Sequence, residues 1–264
     1  MTSAEETTAT MPNLQNKDAD WNAFDPEGYF QHYYGDPHPD DDALTYLAAR
    51  ALRSAASPYR PLDIVDVGTG PSLIPLLAAL PVASRLTAWE YAKPNLEWLA
   101  NELTAPALRP QWQHFWQRVK AAHNLDGANE SSTLPHDPLP LLVQSTRLLR
   151  GSIFDLPPRT FDAATMFFCA ESITASTEEF QSAVSAYIET VRPGGLIAAA
   201  FLAGSTGYDV SGRRYPAVAI DTDDIAACLI PRVAALELTP IGLSSTEIRS
   251  GYSGALFVTG RIAG

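Results

Sequence analysis

A short apolar run, Leu62–Val67, leads into Gly68-Thr69-Gly70-Pro71, and a helical pattern opens at Ser72. This stretch constrains the fold more than any other. Two glycines this close let the backbone turn sharply and approach a ligand with no Cβ in the way. The helix is expected over residues 72–80. The rhythm then repeats, with strand 85–90, helix 94–104, strands 148–153 and 163–168, and helix 178–191 stopped by Arg192-Pro193-Gly194-Gly195. Strand 196–201 is apolar enough to lie in the centre of a sheet, covered on both faces. Alternating β and α units predict an α/β fold with a mostly parallel sheet and right-handed crossovers. Residues 236–247 and 251–261 read as two last strands pairing antiparallel at the sheet edge, and residues 208–220 as a hairpin turning at Ser211-Gly212.

The flanking segments follow other rules. Residues 1–20 are polar, small and without apolar period, which predicts a disordered tail. One domain is then expected over residues 21–264. Asp25 is a good N-cap and Pro26 a good first helical residue, so residues 26–34 should be helical. Gly35-Asp36-Pro37-His38-Pro39 breaks that helix, and residues 40–56 carry the next, completing a helical lid over residues 21–57. Residues 106–140 are too long for a simple connection and read as an insertion with a flexible tip at Asn124–Ser132. Within it, Trp112, Phe115, Trp116 and Val119 form a helical stripe, expected as core or lid face. The acid run Asp40, Asp41, Asp42 is expected to be solvated at a helix N-terminus.

Charge and composition narrow the partners. The formal net charge is −12, from 18 basic and 30 acidic residues. Such a surface does not suit nucleic acid or anionic membrane, and no apolar run approaches a membrane span. Two cysteines, Cys169 and Cys228, are too few for a disulfide framework, which predicts a reducing, cytoplasmic setting. No metal-ligand spacing is present. The Ala- and Pro-rich composition suggests a bacterial source.

Ligands of such sheets sit beyond the carboxyl ends of the strands. Glu90 stands there, 22 residues after Gly68, where a carboxylate can accept from both hydroxyls of a ribose. A dinucleotide motif would place a third glycine where Leu73 stands. S-adenosylmethionine (SAM) carries a sulfonium cation and no phosphate. Asp66 and Glu90, with no Lys or Arg in the turn from Asp66 to Ser72, suit it better than NAD.

Six segments in the same order strengthen that reading. They are Phe24-Asp25-Pro26-Glu27-Gly28-Tyr29-Phe30-Gln31-His32-Tyr33-Tyr34, Asp66-Val67-Gly68-Thr69-Gly70-Pro71, Glu90-Tyr91-Ala92-Lys93-Pro94-Asn95-Leu96, Cys169-Ala170-Glu171-Ser172, Arg192-Pro193-Gly194-Gly195 and Gly254-Ala255-Leu256-Phe257. Together the chain resembles the nicotinamide, phenylethanolamine and thioether methyltransferases from Phe24 to Arg261. The resemblance implies a Rossmann-like class I methyltransferase sheet with an antiparallel last strand, an N-terminal helical lid, SAM as cofactor and a small-molecule methyl acceptor. It implies that Tyr29 and Tyr34 close over SAM and that Gly68, Thr69 and Gly70 line its methionine part. Glu90 and Asn95 would serve the ribose, Tyr91 the adenine face, Ser152 and Ile153 the adenine edge, and Phe167 and Phe168 a side wall. Ser152 stands where the family usually has Asp, and Asp155 is the candidate replacement.

On the acceptor side, the resemblance implies that Glu171 contacts an amine and accepts its proton. The alternative is that Glu171 serves a helix N-terminus. Phe201, Ser205, Tyr208 and Tyr252 are the candidate acceptor liners. No acid occurs in Phe201–Ser205 or Ser250–Ser253, so a pocket more apolar than that of a catecholamine enzyme is expected. Methyl transfer to nitrogen is the favoured reading. Transfer to oxygen or sulfur, an NAD-dependent oxidoreductase, and a fold that has lost catalysis are the alternatives.

Overall fold

The structure, a computed structural model, describes residues 14–57, 59–124, 134–242 and 249–264. Its main sheet has seven strands: β1 (Leu62–Val67), β2 (Ala83–Glu90), β3 (Thr146–Arg150), β4 (Phe161–Phe167), β5 (Val191–Ala203), and the last two, Val233–Ile241 and Gly254–Ile262. A separate ribbon, β6 (Tyr208–Val210) and β7 (Arg213–Tyr215), makes the last pair β8 and β9 in chain order. The sheet order is β3-β2-β1-β4-β5-β9-β8. Neighbours from β3 to β5 pair parallel, and β9 pairs antiparallel with both β5 and β8. The order reverses between β1 and β4, which opens a crevice at their carboxyl ends. This is the expected sheet, including its antiparallel end.

Eight α-helices surround it: α1 (Pro26–Tyr34), α2 (Pro39–Ala55), α3 (Ile74–Ala79), α4 (Lys93–Thr104), α5 (Pro110–His123), α6 (Leu139–Ser145), α7 (Thr177–Glu189) and α8 (Thr222–Leu229), counted among the described residues. β1 shows why two layers form. All six of its residues are buried; Ile64 packs into the core with α2, α3 and α5, while Val65 and Val67 pack into the core with α7 and α8. Alternation along a strand feeds both layers. The stripe Trp112, Phe115, Trp116 and Val119 is core, each at most 1% exposed.

Several boundaries differ from the sequence expectation. The glycine turn reaches further than residue 72, because α3 starts at Ile74 with Pro75 in its first turn. β5 begins at Val191 and runs through Pro193-Gly194-Gly195 instead of starting after it. β3 ends at Arg150, and Ile153–Asp155 forms a 3-10 turn. The hairpin turns at Ser211-Gly212 with positive φ at both, but its strands are only three residues each. The expected insertion 106–140 contains α5 and the start of α6, its tip 125–132 lying outside the described residues, as do 243–247 of an expected edge strand.

The largest difference is at the N-terminus. Of the expected tail 1–20, residues 1–13 lie outside the described residues, but 14–20 are held in place. The Ala175 N–H donates to the Leu14 carbonyl at 2.8 Å, the Asn16 N–H to Glu179 Oε2 at 2.8 Å, and Trp21 Nε1 to the Asn16 carbonyl at 2.8 Å. Trp21 and Phe24 then pack on Tyr208, Val210 and Tyr215 of the ribbon. Polar composition hid this, because backbone groups and one tryptophan supply the attachment.

Candidate active site

The chain leaves the extended region after Val67. Gly68 and Gly70 take φ of +65° and +59°, which glycine adopts without strain. A Cβ on Gly68 would overlap the Cys169 sulfur, so the loops after β1 and β4 meet closely there. Above this turn lies a cleft of about 880 Å³. Glu90, at the end of β2, is 6% exposed. Its Oε2 accepts from the Gly70 N–H at 2.8 Å and its Oε1 from the Ala92 N–H at 2.7 Å. Burial raises the Glu90 pKa, while these N–H groups and Asn95 work the other way. Asn95 Oδ1 is buried without a partner.

Asp66 forms part of the cleft floor at 2% exposure. Thr165 donates its hydroxyl to Oδ1 at 2.7 Å, and Oδ2 has no partner. Burial pushes the Asp66 pKa up to about 7, against the pull of Thr165 and Thr69. At the far end Trp89 Nε1 donates to the Ser152 carbonyl at 2.9 Å, and a Cβ on Gly151 would overlap the Trp89 ring. Unpartnered buried oxygens cost free energy when left dry. Those of Asp66 and Asn95, with the glycine cradle, fit a polar ligand carrying hydroxyl and N–H donors.

Tyr29 and Tyr34 of α1 form one side of this cleft, and Phe168 after β4 another. Phe168 takes φ of +55°, a conformation that costs a bulky residue about 1–2 kcal/mol. Its N–H is tied to the Ala200 carbonyl at 2.8 Å. Strain of this kind gathers at functional sites. Tyr29, Tyr34, Phe168 and Arg249 also border a second chamber of about 950 Å³, which continues to Tyr33, Leu202, Tyr252 and the first turn of α2. Asp40 and Asp41 face that chamber. Asp41 is half-buried, and burial beside Asp40 and Asp42 pushes its pKa up to about 7. The expectation of a fully solvated acid run is therefore corrected, since Asp42 also pairs with His114 at 2.5 Å and Arg118 at 3.3 Å.

Of the residues named from sequence, Tyr29, Tyr34, Asp66, Gly68, Thr69, Gly70, Glu90, Tyr91, Asn95, Ile153 and Phe167 border the first chamber. Four border neither chamber. The Ser152 hydroxyl caps its own 3-10 turn, accepting from the Phe154 N–H at 3.3 Å. Phe201 points to the opposite layer, edge-on to Phe180. Ser205 is fully buried with its Oγ unpartnered. Glu171 is 0% exposed; its Oε1 accepts from the Leu202 N–H at 3.0 Å and its Oε2 has no partner. Burial pushes its pKa up to about 7. Tyr252 does border the second chamber, whereas Tyr208 borders the first.

Sequence reasoning missed Arg249, Asp41, Trp21 and Asn16, and it expected no basic group near the cofactor. Arg249 comes from the segment before β9, a placement that no local pattern signals. It stands just ahead of Ser250–Ser253, where the absence of acid was already legible.

A seven-stranded sheet of this order, with glycines after β1 and an acid at the end of β2, defines a class I SAM-dependent methyltransferase. A family model described as NNMT/PNMT/TEMT matches residues 13–248, and the chain belongs to that family. It is 22% identical over 240 residues to bovine (Bos taurus) phenylethanolamine N-methyltransferase, covering 83% of this chain and 80% of that protein. It is 21% identical over 254 residues to mouse (Mus musculus) indolethylamine N-methyltransferase, covering 90% and 92%. Among solved structures, a SAM-dependent methyltransferase from Clostridium acetobutylicum shares the fold, with TM-score 0.57, 11% identity and coverage of 90% and 98%. The cofactor is therefore SAM. No helix among the described residues is long and apolar enough to cross a membrane.

Proposed function

We propose that this methyltransferase binds SAM in the first chamber and methylates a nitrogen of a small acceptor held in the second. The observation that carries this reading is the junction, where Tyr29, Tyr34, Phe168 and Arg249 belong to both walls. SAM supplies an electrophilic methyl group on a sulfonium. The protein's part is to hold donor and acceptor in line and to keep water out, which accounts for much of the rate of such a displacement. Glu90 and Asn95 offer acceptors to ribose hydroxyls. Asp66 offers its open oxygen to an ammonium or hydroxyl.

A nitrogen acceptor needs its lone pair free. Asp41 is the acid at the second chamber with a pKa raised to about 7, matched to accept a proton near neutral pH. Glu171, given that role on family resemblance, stands behind the wall and acts on this reading as a buried support for the end of β5. The names of the two mammalian relatives, both N-methyltransferases, support nitrogen as the acceptor atom. The test is a panel of small aromatic amines, phenols and thiols incubated with methyl-deuterated SAM and read by mass spectrometry. Label on amines alone is expected; label on phenols or thiols alone would overturn the nitrogen assignment.

A further inference from the structure

Among the described residues, the junction between the chambers holds a buried cation with no anion beside it. Arg249 is 5% exposed. Its Nη1 donates to Ser172 Oγ at 2.9 Å and its Nη2 to the Tyr29 hydroxyl at 2.8 Å, while Nε is buried without a partner. The guanidinium carbon lies 4.2 Å from the centre of the Tyr208 ring and 5.0 Å from that of Tyr33. These partners are neutral: burial pushes Tyr29 up to about 12 and Tyr208 well above its ordinary range. Among the described residues no carboxylate lies within ion-pairing distance of Arg249. Glu171 is the acid whose field reaches it, but its Oε1 is engaged by Leu202 and no ion pair forms. Burying a charge unpaired is strongly unfavourable, and an arrangement of this kind is stable once an anion arrives.

The surroundings say which anion. Arg249 is the one Lys or Arg among the described residues bordering either chamber. Acids stand on both sides of it, Asp66 and Glu90 in the first chamber, Asp40 and Asp41 in the second. A phosphate, doubly charged and demanding several donors, is disfavoured there. A single planar carboxylate suits a guanidinium, and an ammonium on the same ligand would suit the neighbouring acids.

We propose that Arg249 is a carboxylate anchor at the junction of the two chambers, built for an amino-acid-like group. Resting on the two-chamber reading above, it leaves two sources for that carboxylate, the methionine end of the donor or the acceptor itself. They separate by calorimetry of wild type, Arg249→Gln and Arg249→Lys with S-adenosylhomocysteine and with 5′-methylthioadenosine, which lacks the amino-acid end. If the donor supplies the carboxylate, Arg249→Gln weakens S-adenosylhomocysteine at least about tenfold and methylthioadenosine less than twofold, with partial recovery in Arg249→Lys. If the acceptor supplies it, both nucleosides bind the variants normally. Phenylalanine or nicotinate then raises the melting temperature of the wild-type complex with S-adenosylhomocysteine, the amides do not, and Arg249→Gln abolishes the shift.

Equal weakening of both nucleosides, or no change in either with no preference for carboxylates over amides, overturns the proposal. If the variants do not fold, wild type is compared on S-adenosylhomocysteine and its decarboxylated analogue, and on the same acids and amides. Equal affinity within both pairs overturns it. Failure of wild type to bind S-adenosylhomocysteine at all would instead remove the two-chamber reading, and the anchor with it.

Discussion

In the proposed cofactor site, Glu90 serves both the fold and the ligand. Its two oxygens already tie the glycine turn to the start of α4, and each retains a lone pair for a hydroxyl. Glu90→Gln keeps the size but loses the charge and one acceptor. Hydrogen bonds to charged groups contribute about 1.5–3 kcal/mol each, so S-adenosylhomocysteine affinity should fall roughly 10–100-fold by calorimetry. An unchanged affinity would take Glu90 out of the cofactor site. Glu171 makes the opposite prediction. Its pKa is raised in the folded state to about 7 from an ordinary 4.5, so the fold loses stability as pH rises through that interval. Glu171→Gln still accepts from Leu202 without a charge to bury. It should therefore melt higher than wild type at pH 8 and about equally or lower at pH 5.5. A variant less stable at both values would mean that the ionised carboxylate is the form the fold needs.

Elements are held by contacts of a different kind. Helix α1 is fastened by Arg109, which donates to Glu27 at 2.8 and 2.9 Å and to Glu102 at 2.7 Å while stacking 4.5 Å over Phe30. Trp98 adds a bond to Glu27 at 2.9 Å, and the Arg109 partnership helps pull Glu27 down to about 2. Glu27 and Arg109 are partly exposed but Glu102 is buried, so Arg109→Ala should cost about 2–3 kcal/mol. The loss should concentrate at α1, so hydrogen exchange over residues 26–34 should quicken and then slow again when S-adenosylhomocysteine is added. Exchange that quickens evenly across the protein would mean that Arg109 serves the whole core. The strands and helices were legible from sequence because apolar period and turn residues write them locally, as in β1 and its glycine turn. Arg249 and the strap at 14–20 were not. A buried arginine looks like any other in a sequence, and a strap tied by backbone groups leaves no side-chain pattern. Glu171 shows a related limit: resemblance fixes its place on the chain, whereas the direction of its side chain follows from Leu202, 31 residues away.

The molecule as a whole buries acids that it leaves without full partners. Asp41, Asp66 and Glu171 each have a folded pKa of about 7, raised chiefly by burial. Groups with raised pKa favour the fold below their unfolded values and cease to do so as pH climbs through the folded ones. Glu27, Asp25 and Asp162 are lowered and act in the opposite sense, losing their contribution as pH falls below about 4. The ligand-free protein should thus melt highest near pH 5 and lower at pH 8, as scanning calorimetry across that range would show. A maximum at pH 8 would place those three acids in the ionised form. The strap at 14–20 has a separate effect on timing. Asn16 and Trp21 border the first chamber, and the same residues join the strap to α7 and to itself. On the two-chamber proposal, a nucleoside leaving by that side would have to wait for these bonds to part. Shortening the chain past Trp21 should then speed cofactor exchange, read by stopped-flow release of S-adenosylhomocysteine, more than it changes the methyl-transfer step; an unchanged release rate would mean that the strap does not gate that chamber.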